Sequence, residues 1–276
     1  MQLPNADSAL TGAVLLVGGL ALAPLAVVIA RRMFPGRNLF FARWGFSHVL
    51  WVIVFAIFSA AFFSGVSGAL LDRGVDKGTV LFGGQALMMA SVCALIAFIA
   101  HRLDPDGVRC LGFRADRSGR GVAVGVVSYV LLYPALIGLT LAWPWVMERL
   151  GMTFVPQEVE QDLIAMGGAS LAFAAVMVVL VLPLFEEIVF RAFLQPLLVQ
   201  NLGDRGGVVL TSILFGLMHG SSAFVPIFAL SLVLGFVMLR TQRIAAPWAV
   251  HALHNGLMLA VLIMFPEARK LTGLDG

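Results

Sequence analysis

Charge is what this chain has least of. Asp, Glu, Lys and Arg make up 12% of its 276 residues, about half the share in a soluble globular domain. Hydrophobic residues account for 60% and mean hydropathy is +0.98, which excludes a soluble fold and implies a polytopic membrane protein. Cysteine is nearly absent: Cys93 lies in an apolar run and Cys110 in a polar loop. Two such residues supply no disulfide framework and no metal-ligand spacing, so both are expected to be free thiols. Also missing are an internal repeat, a low-complexity tract, a Gly-rich phosphate loop and a His-Glu-x-x-His pair. The formal charge of +3 and pI near 9.3 do not indicate nucleic acid. The basic residues sit in short clusters between apolar runs, the distribution of membrane topology rather than of a phosphate-binding face.

About twenty apolar residues are needed for each helical crossing. On that measure the chain offers runs at 9–30, 46–71, 80–100, 122–147 and 166–200. An uncharged run at 206–239 would be about 50 Å long if wholly helical. That is too long for one crossing, and Gly220-Ser221-Ser222 supplies a break. Split there, and followed by a last span at 244–265, the sequence predicts an all-α, polytopic transmembrane helical bundle of about eight spans. The first run lacks a basic n-region, and its one small-residue cleavage site, Ala21-Leu22-Ala23, is followed by Pro24. It is expected to be a retained span rather than a signal peptide, and no sizeable soluble domain is expected outside the spans.

The loops test the count. Arg31, Arg32, Arg37 and Arg43 follow the first span, and Arg102, Arg109, Arg114, Arg117 and Arg120 crowd the third connection. Arg205 follows the fifth span, and Arg240 and Arg243 the seventh. The intervening connections are neutral or acidic, with Glu148, Glu158, Glu160 and Asp162 in the fourth. With Lys and Arg kept inside, the alternation fits eight spans with both termini outside. The 147–166 loop, which contains Pro156, is expected to carry a short helix on the outer surface. Leu111-Gly112-Phe113-Arg114 reads as an amphipathic interfacial element whose arginines meet anionic headgroups.

One apolar run contains Leu184-Phe185-Glu186-Glu187-Ile188-Val189-Phe190-Arg191. An ionised side chain at mid-membrane costs roughly 2.5–3.5 kcal/mol on insertion scales, so such groups are paired, wet or retained for chemistry. Glu187 and Arg191 are i and i+4 and share a helix face; Glu186 points about 100° away and has no local partner. The other buried polar groups are His219, His251, His254 and Asn255. His251 and Asn255 are again i and i+4. A lone membrane histidine is more often an interhelical hydrogen-bond partner than a ligand, and an intrahelical Glu–Arg pair more often structural than catalytic. His254 is expected to neighbour the site and His48 to lie at the headgroup boundary, with Gln85 isolated. Four polar groups on three apolar helices of the second half instead indicate a site for water activation and oxyanion contact.

The ordered strings Glu186-Glu187-x-x-x-Arg191, Phe215-x-x-x-His219 and His251-x-x-x-Asn255, the last after Ala246-Pro247-Trp248, resemble the three motifs of the CPBP family. These are intramembrane endopeptidases that include the type II CAAX prenyl proteases and bacteriocin-immunity (Abi) relatives. The resemblance covers roughly residues 180–258. It implies residues 1–120 as three N-terminal spans with a basic cytoplasmic loop, and residues 121–276 as a five-span catalytic membrane domain. It further implies that Glu186 is the general base, that His219 helps hold the water, and that His251 with Asn255 stabilises the oxyanion. Glu187, Arg191 and Phe215 would support the site. Because the family is also described as metalloproteases, Zn2+ is an alternative, with Glu186, His219 and His251 as ligands and an open fourth position; the metal-free mechanism ranks first.

The expected partners are a membrane-associated or prenylated peptide or protein and the lipid bilayer, with no nucleic acid; the expected location is a bacterial inner membrane. Two rival readings stand beside the peptidase. A proton-coupled transporter would favour inverted repeats and matching broken helices, and neither is found. A non-catalytic immunity or scaffold protein of the same family would be expected to have lost a motif residue, and none is lost. One tension concerns depth: His219 comes at the far end of its span, so either that helix is short and tilted or the outer turn dips into the membrane.

Overall fold

The computed structural model describes residues 6–34, 41–155 and 157–265; Arg37 and Pro156 lie outside the described residues. Among the described residues there are helices and turns and no strand. In chain order the helices are α1 (Ala6–Met33), α2 (Phe46–Leu71), α3 (Lys77–Leu103), α4 (Ser118–Arg149), α5 (Glu158–Ala165), α6 (Gly168–Leu217), α7 (Ser221–Thr241) and α8 (Ala245–Met264). Seven of them, all but α5, are long and apolar enough to cross a membrane.

The difference from the eight expected spans lies in α6. Its 50 residues join the fifth predicted span to the first half of the 206–239 run, across a break at Gly203. There φ is 73° and ψ 172°, a backbone that only glycine adopts at low cost. A Cβ added at Gly207 would stand 2.4 Å from the Val199 nitrogen, so the arm after the break folds back against the arm before it. We call these arms α6a (168–202) and α6b (204–217). The chain thus reverses direction within α6, but α6b is only about 21 Å long against a hydrocarbon core of about 30 Å. His219 lies in the turn at 218–220, directly after the end of this short arm.

Contacts between loops fix the sides. On one face Arg43 pairs with Asp104 at 3.4 Å, Arg243 pairs with Asp116, Arg240 donates to the Phe34 carbonyl at 2.5 Å and the Ala42 amide donates to Gln200 at 3.1 Å. On the other, Lys77 pairs with Asp162 at 2.6 Å and Trp143 Nε1 donates to the Ser221 carbonyl at 3.0 Å. Every arginine-rich loop falls on the first face. Both ends of the described bundle therefore lie on the second, in the parity expected.

The short outer helix is present as α5. The 111–114 segment is not simply interfacial. Leu111 closes a 3₁₀ turn, Gly107–Leu111, and is wholly buried, while the Gly112 carbonyl accepts the Ile244 amide at 3.1 Å. Only Phe113 and Arg114 face outward, and Arg114 lies 3.7 Å from Asp106. The largest buried cluster joins Trp44, Val52, Ile96 and Leu111 to Ile188, Phe193, Leu197 and Met238, so α3 packs directly against the back of α6a and α2 packs on α3.

Candidate functional site

Two widened turns shape the arm that carries the charged residues. α6a is π-helical at Met177–Val181 and again at Ile188–Leu194, and a proline follows each stretch, Pro183 and Pro196. Proline lacks an N–H and its ring clashes with the carbonyl four residues back, so the helix widens there. Widening releases carbonyls from the ordinary ladder, and neighbouring helices claim them. Asn255 Nδ2 donates to Val178 O at 2.9 Å, Trp248 Nε1 to Leu180 O at 2.9 Å and Trp44 Nε1 to Phe193 O at 2.9 Å. The first two bonds dock α8 on α6a beside the Glu-Glu pair.

At that contact His251 lies between the two glutamates. Its Nδ1 is 2.9 Å from Glu187 Oε1 and its Nε2 is 3.7 Å from Glu186 Oε2. Glu187 is fully buried and its other oxygen lies 3.2 Å from Arg191 Nε, equally buried. A carboxylate held by a guanidinium accepts rather than donates, so Nδ1 of His251 carries the hydrogen and Nε2 faces Glu186. Glu187 thus does more than the support expected of it, because it also orients His251. Arg191 donates through Nη2 to Ser231 Oγ at 2.9 Å and lies 4.8 Å over the Phe215 ring. Glu186, with 22% of its side chain exposed, is the accessible carboxylate of the pair.

Phe215 is the hinge of the cluster. Its ring is 4.7 Å from that of His219 and 5.8 Å from that of His251, and its carbonyl is 2.8 Å from His219 Nδ1. His219 therefore joins the site through Phe215 rather than by a bond to Glu186. Asn255 spends one of its two N–H groups on Val178 and keeps the second. Among the described residues no group of three or more His, Cys, Asp or Glu is arranged to hold a metal ion. Glu186, His219 and His251 thus do not converge as the three-ligand set that zinc needs.

His254 faces away from this cluster, its Nδ1 3.1 Å from the Tyr129 hydroxyl of α4. His48 accepts the Gly45 amide at 3.2 Å and caps α2, and Gln85 is exposed on α3. Sequence reasoning missed Gln195, Ser231 and Tyr129. Gln195 was detectable: Glu187, Arg191 and Gln195 are spaced by four and form one polar stripe. That stripe meets Ser231 and Gly235 of α7, where Gln195 Nε2 donates to the Gly235 carbonyl at 3.0 Å. Small residues let the two helices approach so closely. Cys93 and Cys110 are both free.

Residues 168–257 match the family described as "Type II CAAX prenyl endopeptidase Rce1-like". The chain is also similar to "Membrane-embedded CAAX protease MroQ" of Staphylococcus aureus (strain USA300), 30% identical over 95 residues. The similarity covers 32% of this chain and 38% of that protein, so it spans well under half of the relative's length. No solved structure matches the chain.

Proposed function

We propose that this integral membrane protein, whose residues 168–257 match the Rce1-like type II CAAX prenyl endopeptidase family, is an intramembrane endopeptidase. The observation that carries the reading is Glu186, accessible, facing Nε2 of a histidine whose other nitrogen is held by the buried Glu187–Arg191 pair. Glu186 takes a proton from water held near His219, and the hydroxide attacks the peptide carbonyl. The oxyanion accepts from the remaining N–H of Asn255 and is further stabilised by the adjacent His251. Collapse of the intermediate breaks the C–N bond, and Glu186 returns its proton to the leaving amine.

The substrate is a membrane-associated or prenylated protein or peptide, and the compartment a bacterial cytoplasmic membrane. The CAAX protease relative in Staphylococcus aureus supports both. The test is mass spectrometry of cleavage products in membranes carrying the wild type or Glu186→Ala. Products that require Glu186 support the reading; identical product sets overturn it in favour of a non-catalytic immunity or scaffold role. Stoichiometric zinc in the purified protein, with activity lost on chelation and restored by the metal, would replace the glutamate-water mechanism and leave the peptidase assignment standing.

A further inference from the structure

The chain has two tyrosines, and they stand four residues apart on α4. Tyr129 is 1% exposed. Its ring lies 5.2 Å from that of Tyr133 and edge-on to His254 at 5.9 Å, with its hydroxyl 3.1 Å from His254 Nδ1. One turn earlier, a Cβ on Gly125 would be 2.9 Å from Val250 Cγ2 and 3.0 Å from the Ala246 carbonyl. Gly121, Gly125 and Tyr129 thus form one stripe of α4 along which α8 runs in parallel, residue 125 beside 250 and 129 beside 254. α4 lies outside the segment that matches the family.

His254 sits three residues after His251 and directly before Asn255. Trp248, His251 and Asn255 all bond to α6a, so they draw α8 from one side. The Tyr129–His254 bond draws it from another, about 60° round the helix from His251. Two directions of restraint fix a rotation that one leaves soft. We propose that Tyr129 is a positioning residue: through His254 it sets the rotation of α8, and so aims His251 and Asn255 at the carbonyl being cleaved. A misplacement of about 1 Å can cost a hundredfold in rate, so a small rotation suffices.

The turnover arm of the test rests on the peptidase reading; a second arm does not. With the full chain purified in detergent, Tyr129→Phe keeps the ring and loses the hydroxyl. It should lower kcat about tenfold on a cleaved membrane peptide with KM unchanged, while the thermal midpoint falls only by the loss of one buried hydrogen bond. His254→Asn, whose amide stands near the Nδ1 position, should keep most of the activity, while His254→Leu should lose as much as Tyr129→Phe. In protein labelled with 15N-histidine, Tyr129→Phe should shift the His251 signal as well as that of His254. An unchanged kcat, a kcat loss matched by lost folded protein, or a His251 signal that does not move would each overturn the proposal. If no cleavage depends on Glu186, the peptidase reading fails, and the His251 signal alone decides whether Tyr129 orients α8.

Discussion

Helices α2 and α6 are both long and apolar enough to cross a membrane, yet they do opposite work. α2 buries only Val52 and Ser59 and turns Trp51 and Phe58 outward, 69% and 71% exposed. α6 buries Glu187, Arg191 and Gln195 completely, bends at Gly203 and widens twice. A helix that is apolar all round needs lipid and little else. A helix with a polar stripe needs neighbours that match it group for group, because an unpaired buried charge or donor costs several kcal/mol. α7 and α8 supply part of that match through Ser231, the Gly235 carbonyl and His251, while Arg191 Nη1 and Gln195 Oε1 have no hydrogen-bond partner among the described residues.

The contrast breaks most sharply at Glu186. Glu186→Gln keeps shape and hydrogen bonding but removes the base, and should cut turnover about 10²- to 10⁴-fold while peptide binding and folded yield stay at the wild-type level. Single-turnover kinetics beside size-exclusion profiles would check it, and cleavage that survives would remove Glu186 from the chemistry. Glu187→Ala and Arg191→Ala should behave differently, each losing about 3–5 kcal/mol of stability by stranding a buried charge. Folded yields and thermal midpoints would read this directly; values equal to those of Glu186→Ala would dissolve the division between working and supporting carboxylates.

Smaller in effect is Asn255→Ala, expected to cost about 10²- to 10³-fold in kcat by removing one oxyanion donor. Because Asn255 also bonds Val178, part of the loss should appear as weaker docking of α8, measurable by hydrogen exchange at 245–255. The smallest effect belongs to α2: Trp51→Leu or Phe58→Leu should change stability by no more than about 0.5 kcal/mol. A thermal shift well beyond that would mean that α2 faces a protein partner rather than lipid.

The sequence by itself determined the class, the order of the apolar runs and which residues were candidates for the site. Apolar run length and the clustering of arginine in alternate loops are local properties, and a bilayer leaves helices as the only structure such runs can form. The spacing of four between Glu187 and Arg191, and between His251 and Asn255, put each pair on one face before any packing was known. What tertiary structure decided depends on groups far apart in the chain. Only the docking of α8 on α6a showed that Glu187 serves His251 as well as Arg191. Only the fold-back at Gly203 showed that α6b is a separate short arm with His219 just past its end. Pro183 and Pro196 stood in plain view, but a proline in a helix predicts disturbance without saying who will accept the carbonyls it frees. That answer lay in Asn255, Trp248 and Trp44, side chains whose approach is set by three-dimensional packing rather than by any local pattern.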